Sequence, residues 1–479
     1  MSTVTTNIGI SLDFDNLKNA YRNKLLTPLD VVREVYRRIR DRGEDFVWTC
    51  LVPEEEALAV AQALAVLDPT DLPLYGLTFA VKDNIHVKGL KTTASCPAYS
   101  HYPEKTATVV QKLLDAGAIL IGKNTMDQFA TGLVGIRSPG HPVNPFNSEY
   151  IPGGSSSGSA VAVSAGLVSF SLGSDTGGSG RVPAALNNIV GLKPTPGIIS
   201  AAGMVYANRS FDCVPIFALT CLDAKKVFDV AVGPDPDDPF MRTNPNYVAK
   251  SKFPTSGFTI GIPDKGNRKF FGDLLAEKSF DHAINLIQDL GGEILEIDFS
   301  PFVATGSMLF DGPILAERLA SLGGFIESHR EEVHPVVCNI IDKAKAYSAV
   351  DLVNEYYRLR QLMSSAYTEL RKVDALMVPT AGTIYKIKEV ESDPVALNAN
   401  MGYYTYFANL LQLSAIAVPA AFREDGLPFG VCFIAGPQED TALISLGDRF
   451  QKATGLAPGA TRVRGFGTEV GPEGVAELI

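Results

Sequence analysis

Residues 153–181 read GGSSSGSAVAVSAGLVSFSLGSDTGGSGR. Two glycine-serine segments, Gly153–Ser159 and Gly177–Gly180, flank the small apolar run Ala160–Leu172, and Ser155 and Ser179 stand 24 positions apart. Either segment alone has the composition of a flexible linker. A linker has no reason to bracket an element of Ala, Val, Gly and Ser that reads as buried. The run therefore predicts a tightly packed helix or strand that returns one segment toward the other. Glycine lets a backbone approach a ligand closely, and successive free N–H groups make an anion-binding hollow. A serine inside such a hollow is placed to attack a carbonyl with an oxyanion site beside it.

Working outward, the apolar run Gly76–Val81 is of strand type and ends at Lys82-Asp83-Asn84. Lysine is rarely buried without a partner. Two readings stand open: a stem that snorkels to solvent, or a buried amine whose pKa is pulled down so that it acts as a base. At the ordinary value only roughly one lysine in 2,500 is neutral at pH 7. Thr108–Ala116 then Ala118–Ile121, and Asp281–Leu290 then Glu293–Ile297, repeat a helix–Gly–strand rhythm. That alternation predicts an α/β layer architecture with a largely buried sheet. Further strands are predicted at Asp374–Pro379, Ser414–Pro419 and Val431–Ala435, and helices at Ala316–Phe325 and Ala344–Leu370. An N-terminal helical arm over about 12–67 includes Asp13–Asn23, a helix opened by Thr27-Pro28, and Pro53–Leu67. A catalytic body over about 68–440 and a loosely held tail over 458–479 complete the expected organisation of 1–479. Gln128–Gly135 and Gly140–Pro152 read as loops of the kind that wall a cleft.

With 46% apolar and 20% charged residues the 479-residue chain has the composition of a soluble enzyme. Its net charge of −11 opposes nucleic acid or an anionic membrane as partner. Six scattered cysteines without a C-x-x-C pair argue against a disulfide framework or a zinc site and predict a cytoplasmic location. No signal peptide or membrane span is read. There is no G-x-S-x-G elbow, because Arg181 stands where the last glycine would fall, and no P-loop. The six histidines show no metal spacing and give a Ser-His-Asp triad no local support. A serine activated without histidine remains, with Lys82 as the best available base and Ser155 as a relay.

Lys82, Gly153–Gly158, Asp175-Thr176-Gly177-Gly178-Ser179 and Gly191-Leu192-Lys193-Pro194-Thr195 together resemble the amidase signature family, over roughly residues 27–440. The resemblance implies a single large α/β/α domain with a twisted mixed sheet covered by helices, and a homodimer. It further implies a Ser–Ser–Lys triad that hydrolyses C–N bonds without metal or cofactor. By position, Ser179 would be the nucleophile, Lys82 the base and Ser155 the bridge, held by a cis peptide bond. The N–H groups of Thr176, Gly177, Gly178 and Ser179 would form the oxyanion hole, and Asp175 and Arg181 would hold the nest in shape.

Within the family the chain most resembles the amidase domain of allophanate hydrolases. The stretches that carry this include Ser179–Ala185, Arg209–Cys213 and Pro379–Tyr385. The implied reaction releases ammonia from a small urea, carbamate or amide, with Gln128, Thr131, Phe310 and Arg318 as substrate contacts. Three departures are visible. Gly177 stands where those enzymes commonly have Ala, Phe310 where a tyrosine normally donates a hydrogen bond, and the second domain of full-length allophanate hydrolases does not follow. A stand-alone carbamate (urethane) hydrolase or general amidase with a neutral substrate is the alternative. An amidotransferase A-type subunit is a further reading, as is an inactive binding protein. Tyr385, Tyr403 and Tyr404 either crowd the cleft or pack the core.

Overall fold

The apolar run that ends at Lys82 folds as one of eleven strands hydrogen-bonded into a single mixed sheet. The computed structural model describes residues 10–242 and 253–461. In chain order the strands are β1 (Trp48–Leu51), β2 (Thr78–Lys82), β3 (Ile119–Asn124), β4 (Phe170–Leu172), β5 (Val190–Lys193) and β6 (Ile216–Ala218). They continue with β7 (Phe258–Pro263), β8 (Gly292–Ile297), β9 (Ala375–Pro379), β10 (Ser414–Phe422) and β11 (Pro428–Ala435). Across the sheet the order is β1-β3-β2-β4-β6-β5-β10-β11-β9-β7-β8.

β3, β2 and β4 form a parallel trio, so their carboxyl ends lie together. In α/β sheets ligands bind beyond such ends. The register of β2 on β3 shifts by one residue, from Phe79↔Leu120 to Ala80↔Gly122, so that Lys82 lies opposite Asn124 and Val81 opposite Lys123. A bulge of this kind re-aims the residues that follow it. The run between the two glycine-serine segments is both of the predicted elements in turn. The helix Ser157–Ser164, buried at every residue, leads to β4. Its small side chains let it pack against β2, β3 and β4 at once.

The N-terminal helices are Phe14–Arg22, Pro28–Arg42 and Glu54–Leu64, and their apolar faces join the largest core cluster of the chain. Thr27 accepts from Asp30 N while the Asp30 carboxylate accepts from Thr27 N, a reciprocal cap worth about 1 kcal/mol. The predicted helix over 344–370 starts later, at Ala349, because Ser348 and Asp351 form a second such cap and the preceding residues make a 3-10 turn. β1, β6, β7 and the helix Cys221–Ala231 were not predicted from the sequence. The tail expected over 458–479 lies outside the described residues from 462 onward. Among the described residues no helix is long and apolar enough to cross a membrane.

Candidate active site

Lys82 and Ser174 stand at or just beyond the carboxyl ends of the parallel neighbours β2 and β4, so two chemistry-bearing side chains converge there. The Lys82 amine is fully buried and donates to Ser155 Oγ at 2.6 Å and to Ser174 Oγ at 2.8 Å. Asn84 Nδ2 also donates to Ser174 Oγ, at 3.2 Å. Burial pulls the Lys82 pKa down to about 7, with Asp127, Asp175 and Asp212 offsetting part of that shift. The snorkelling reading of Lys82 is therefore replaced by the buried-amine reading. The Gly154–Ser155 peptide is cis, as the resemblance implied. Asp127 ties this region together, donating its N–H to Ser155 O at 3.0 Å. Its carboxylate accepts from Gly135 N at 3.0 Å and Arg137 N at 2.8 Å.

The second segment is built around Asp175. Its buried carboxylate pairs with the equally buried Arg181 at 3.0 Å and accepts from Gly178 N at 2.8 Å and Gly180 N at 2.9 Å. Burial raises the Asp175 pKa, and Arg181, with Lys193 and the Gly180 N–H, more than cancels this, so the carboxyl lies below its ordinary value. Asp175 and Arg181 thus hold the nest in shape, as expected. Gly178 departs from the expected oxyanion set, because its N–H points to the Asp175 carboxylate. Thr176, Gly177 and Ser179 present backbone N–H groups that no protein atom accepts among the described residues. Nearly every buried N–H in a protein has a partner, so three free ones within four residues form a ready anion site. Ser179 is 3% exposed, and its Oγ makes no hydrogen bond among the described residues. The structure thus brings Lys82 to Ser155, and leaves the contact between Ser155 and Ser179 unmade.

Thr405 clamps the nest from outside, its Oγ1 donating to Gly177 O at 2.8 Å and its carbonyl accepting from Arg181 Nη1 at 3.0 Å. A Cβ at position 178 would lie 2.3 Å from Thr405 Oγ1, and Gly178 has a φ of +137°. Gly178→Ala is therefore expected to strain the nest by about 1–3 kcal/mol, measured as a lowered thermal melt. At position 177 a Cβ would lie 2.4 Å from Leu309 Cδ2 and 2.9 Å from Tyr406 Cδ1. These side chains close over the nest in the space an alanine methyl would need, which accounts for glycine at this position.

Of the expected substrate contacts, Arg318 is fully buried and presents Nε and Nη2 without partners, while Nη1 donates to Thr131 Oγ1 at 2.9 Å. Burial lowers its pKa to about 10, with Asp212 opposing, so it remains a cation at neutral pH. Thr131 orients Arg318. The Phe310 ring lies over the guanidinium, 4.9 Å from centre to carbon, and packs 4.9 Å from the Tyr406 ring. Gln128 corrects the expectation. Its amide donates to Ser95 O and Glu332 O and accepts from His334 N, so it ties loops together and keeps no donor for a ligand. Tyr403 and Tyr404 donate to the backbone at Asn267 and Lys269, and Tyr385 bonds Asn400. These three are packing residues, and the tyrosine beside the nest is Tyr406.

Sequence reading missed Ser174, Asn84, Asp127 and Asp212. Thr176 Oγ1 donates to Asp212, whose pKa burial raises to about 6 against the pull of Thr176 and Arg318. Asp212 stands 33 positions beyond Ser179, with no spacing that ties it to the nest, so no local signal marks it.

The family model described as amidase matches residues 30–444. The urea amidolyase of Saccharomyces cerevisiae is 43% identical over 413 residues, which cover 85% of this chain and 22% of that protein. The A-type subunit of the glutamyl-tRNA(Gln) amidotransferase of Prochlorococcus marinus is 32% identical over 91% of this chain and 95% of its own. Kluyveromyces lactis allophanate hydrolase superposes with a TM-score of 0.89 at 38% identity, covering 96% of this chain and 76% of that one. The chain spans about a fifth of the length of the urea amidolyases it matches. With the fold, the nest and its match over most of its length in agreement, the chain belongs to the amidase family.

Proposed function

We propose that the chain is an amidohydrolase that cleaves a C–N bond of a small, carboxylate-bearing urea derivative of the allophanate type and releases ammonia. The observation that carries the reading is the buried Lys82 amine bonded to Ser155 beside three unpaired nest N–H groups. With its pKa near 7, about half of Lys82 is neutral at pH 7, on the order of a thousand times more than for an exposed lysine. Neutral Lys82 draws the Ser155 proton, and Ser155 in turn takes the proton of Ser179 once substrate brings the two hydroxyls together. Apo catalytic hydrogen bonds often tighten only in the complex. Ser179 Oγ then bonds the carbonyl carbon, and the N–H groups of Thr176, Gly177 and Ser179 hold the oxyanion. The C–N bond breaks as the relay returns its proton to the leaving nitrogen, ammonia departs, and water cleaves the acyl-enzyme by the same route.

Arg318 selects the substrate. Its two unpaired N–H groups match a carboxylate, which guanidinium binds in bidentate fashion. One observation favours the neutral-substrate reading: Phe310, at the guanidinium face, has no hydroxyl to add to a carboxylate site. Ammonia release from allophanate, its neutral amide biuret, ethyl carbamate and simple amides separates the two. Preference for allophanate is expected, and preference for ethyl carbamate or simple amides would assign a stand-alone urethanase or amidase.

The base works in its neutral form, which predominates above its pKa. Activity should therefore rise with pH to a plateau, with the acid limb of kcat/KM centred near 7. A limb centred near 10 would mean that Lys82 is not the buried base described. The N-terminal helices share the main core, which supports a single catalytic unit. The six cysteines are free thiols, which supports a cytoplasmic location. The family resemblance supports a homodimer, and sedimentation measures it.

A further inference from the structure

The catalytic groups are 3% exposed or less, so substrate needs a way in. A cavity of about 440 Å³ has Tyr206, Arg209, Asp212, Phe240, Arg242 and Gln412 in its wall. Asp212 lines the cavity and its carboxylate accepts from Thr176 Oγ1, which links this wall to the nest. Ser210, in the same wall, donates its N–H to Glu317 at 3.0 Å, directly beside Arg318 in sequence. The cavity thus backs onto both the oxyanion nest and the helix that carries Arg318.

Its charge is arranged for an anion. The exposed Arg209 guanidinium is held between two rings, 4.8 Å from the centre of Tyr206 and 4.7 Å from that of Phe240. Among the described residues it has neither an ion pair nor a hydrogen bond. Stacking fixes the plane of a guanidinium and leaves its edge N–H groups free to bind oxygen anions. Arg242 donates Nε to Pro196 O and Nη2 to Gln412 Oε1, and among the described residues its Nη1 has no partner. Each acid of the wall already accepts three hydrogen bonds from the protein. Asp238 accepts from Ser200 Oγ, Ala201 N and Phe240 N, and Asp212 from Thr176, Ala207 N and Asn208 N. The two arginines and two aspartates of the wall balance formally, but the aspartates are buried and Arg209 is exposed, so the cation is what faces an approaching anion.

We propose that this cavity is the anion-selecting approach to the Ser179 site, with Arg209 steering carboxylate-bearing substrate inward. The proposal rests on the reading that the substrate is a small carboxylate. A charge at the rim of a site acts on encounter rather than on chemistry, and salt screens its effect. Arg209→Glu is therefore expected to lower kcat/KM for allophanate about tenfold at about 20 mM salt and no more than about twofold at about 500 mM. Both kcat and turnover of biuret should stay within about twofold, which also shows the variant is folded, and Arg209→Lys, which keeps the charge but not the stacked plane, should fall between the parent and Arg209→Glu. Equal losses on allophanate and biuret, or a loss that salt does not relieve, would overturn the proposal. If the parent hydrolyses neither compound, the functional reading fails, and malonate binding to parent and Arg209→Glu by calorimetry decides this one separately. About tenfold weaker binding at low salt supports the approach route, and unchanged binding removes it.

Discussion

Ser179→Ala should lower kcat/KM for ammonia release on the order of 10,000-fold or more, and Lys82→Met should lose as much. The two act as one unit. Without Ser179 Oγ no acyl-enzyme forms, and without the buried amine nothing accepts the proton that attack releases through Ser155. The nest N–H groups survive both changes, so a residue of catalysis over water should remain from the oxyanion site alone. Ser179→Ala should still bind malonate with parental affinity, since Arg318 and Thr131 are untouched. Mass spectrometry of the intact parent, quenched during turnover, should show an acyl adduct that Ser179→Ala lacks. Turnover that persists in Ser179→Ala would refute the mechanism, whatever the substrate proves to be.

Arg318→Met should separate charged from neutral substrates. The buried guanidinium offers two unpaired donors, and each hydrogen bond to a charged group contributes about 1.5–3 kcal/mol. Losing both implies at least about a hundredfold fall in kcat/KM for allophanate, with biuret falling far less. Methionine fills similar space against Phe310, so the packing of that ring should persist. A fall of equal size for both substrates would mean that Arg318 supports the fold around Thr131 rather than reading a carboxylate. Ammonia release at matched pH, with a thermal melt to confirm folding, makes the comparison.

Much of this site was legible in the sequence because its parts break local rules. A lysine closing an apolar strand and two glycine-serine segments around a small-residue run have no ordinary packing role, and both lead to the site. What stayed hidden depends on direction. Gly178 belongs to the nest by composition, and only the position of the Asp175 carboxylate shows where its N–H points. Ser174 is one more serine in a serine-rich stretch, and its contact with Lys82 arises from the parallel pairing of β2 and β4. Gln128 sits in a loop of the right kind, yet the backbone of residues 332–334, some two hundred positions away, occupies its amide. Among the strands, β6 has only three residues and β7 carries a glycine in its centre, so neither gave a periodic signal.

The single-residue bulge between β2 and β3 constrains which lengths the gene can vary. Were the pairing of Phe79 with Leu120 continued without it, Lys82 would lie opposite Lys123, on the same face of the sheet. Two fully buried amines would then be neighbours, each raising the cost of charging the other. With the extra residue, Lys123 turns to the opposite face, where it meets the Asp83 carboxylate at 3.1 Å, and Lys82 turns to Ser155 and Ser174. One amine is thereby kept as a paired cation and the other as a base that gives up its proton near neutrality. A one-residue deletion in β3 would leave its hydrophobic character intact while merging these two roles. Insertions and deletions in this region should accordingly be confined to the loops on either side.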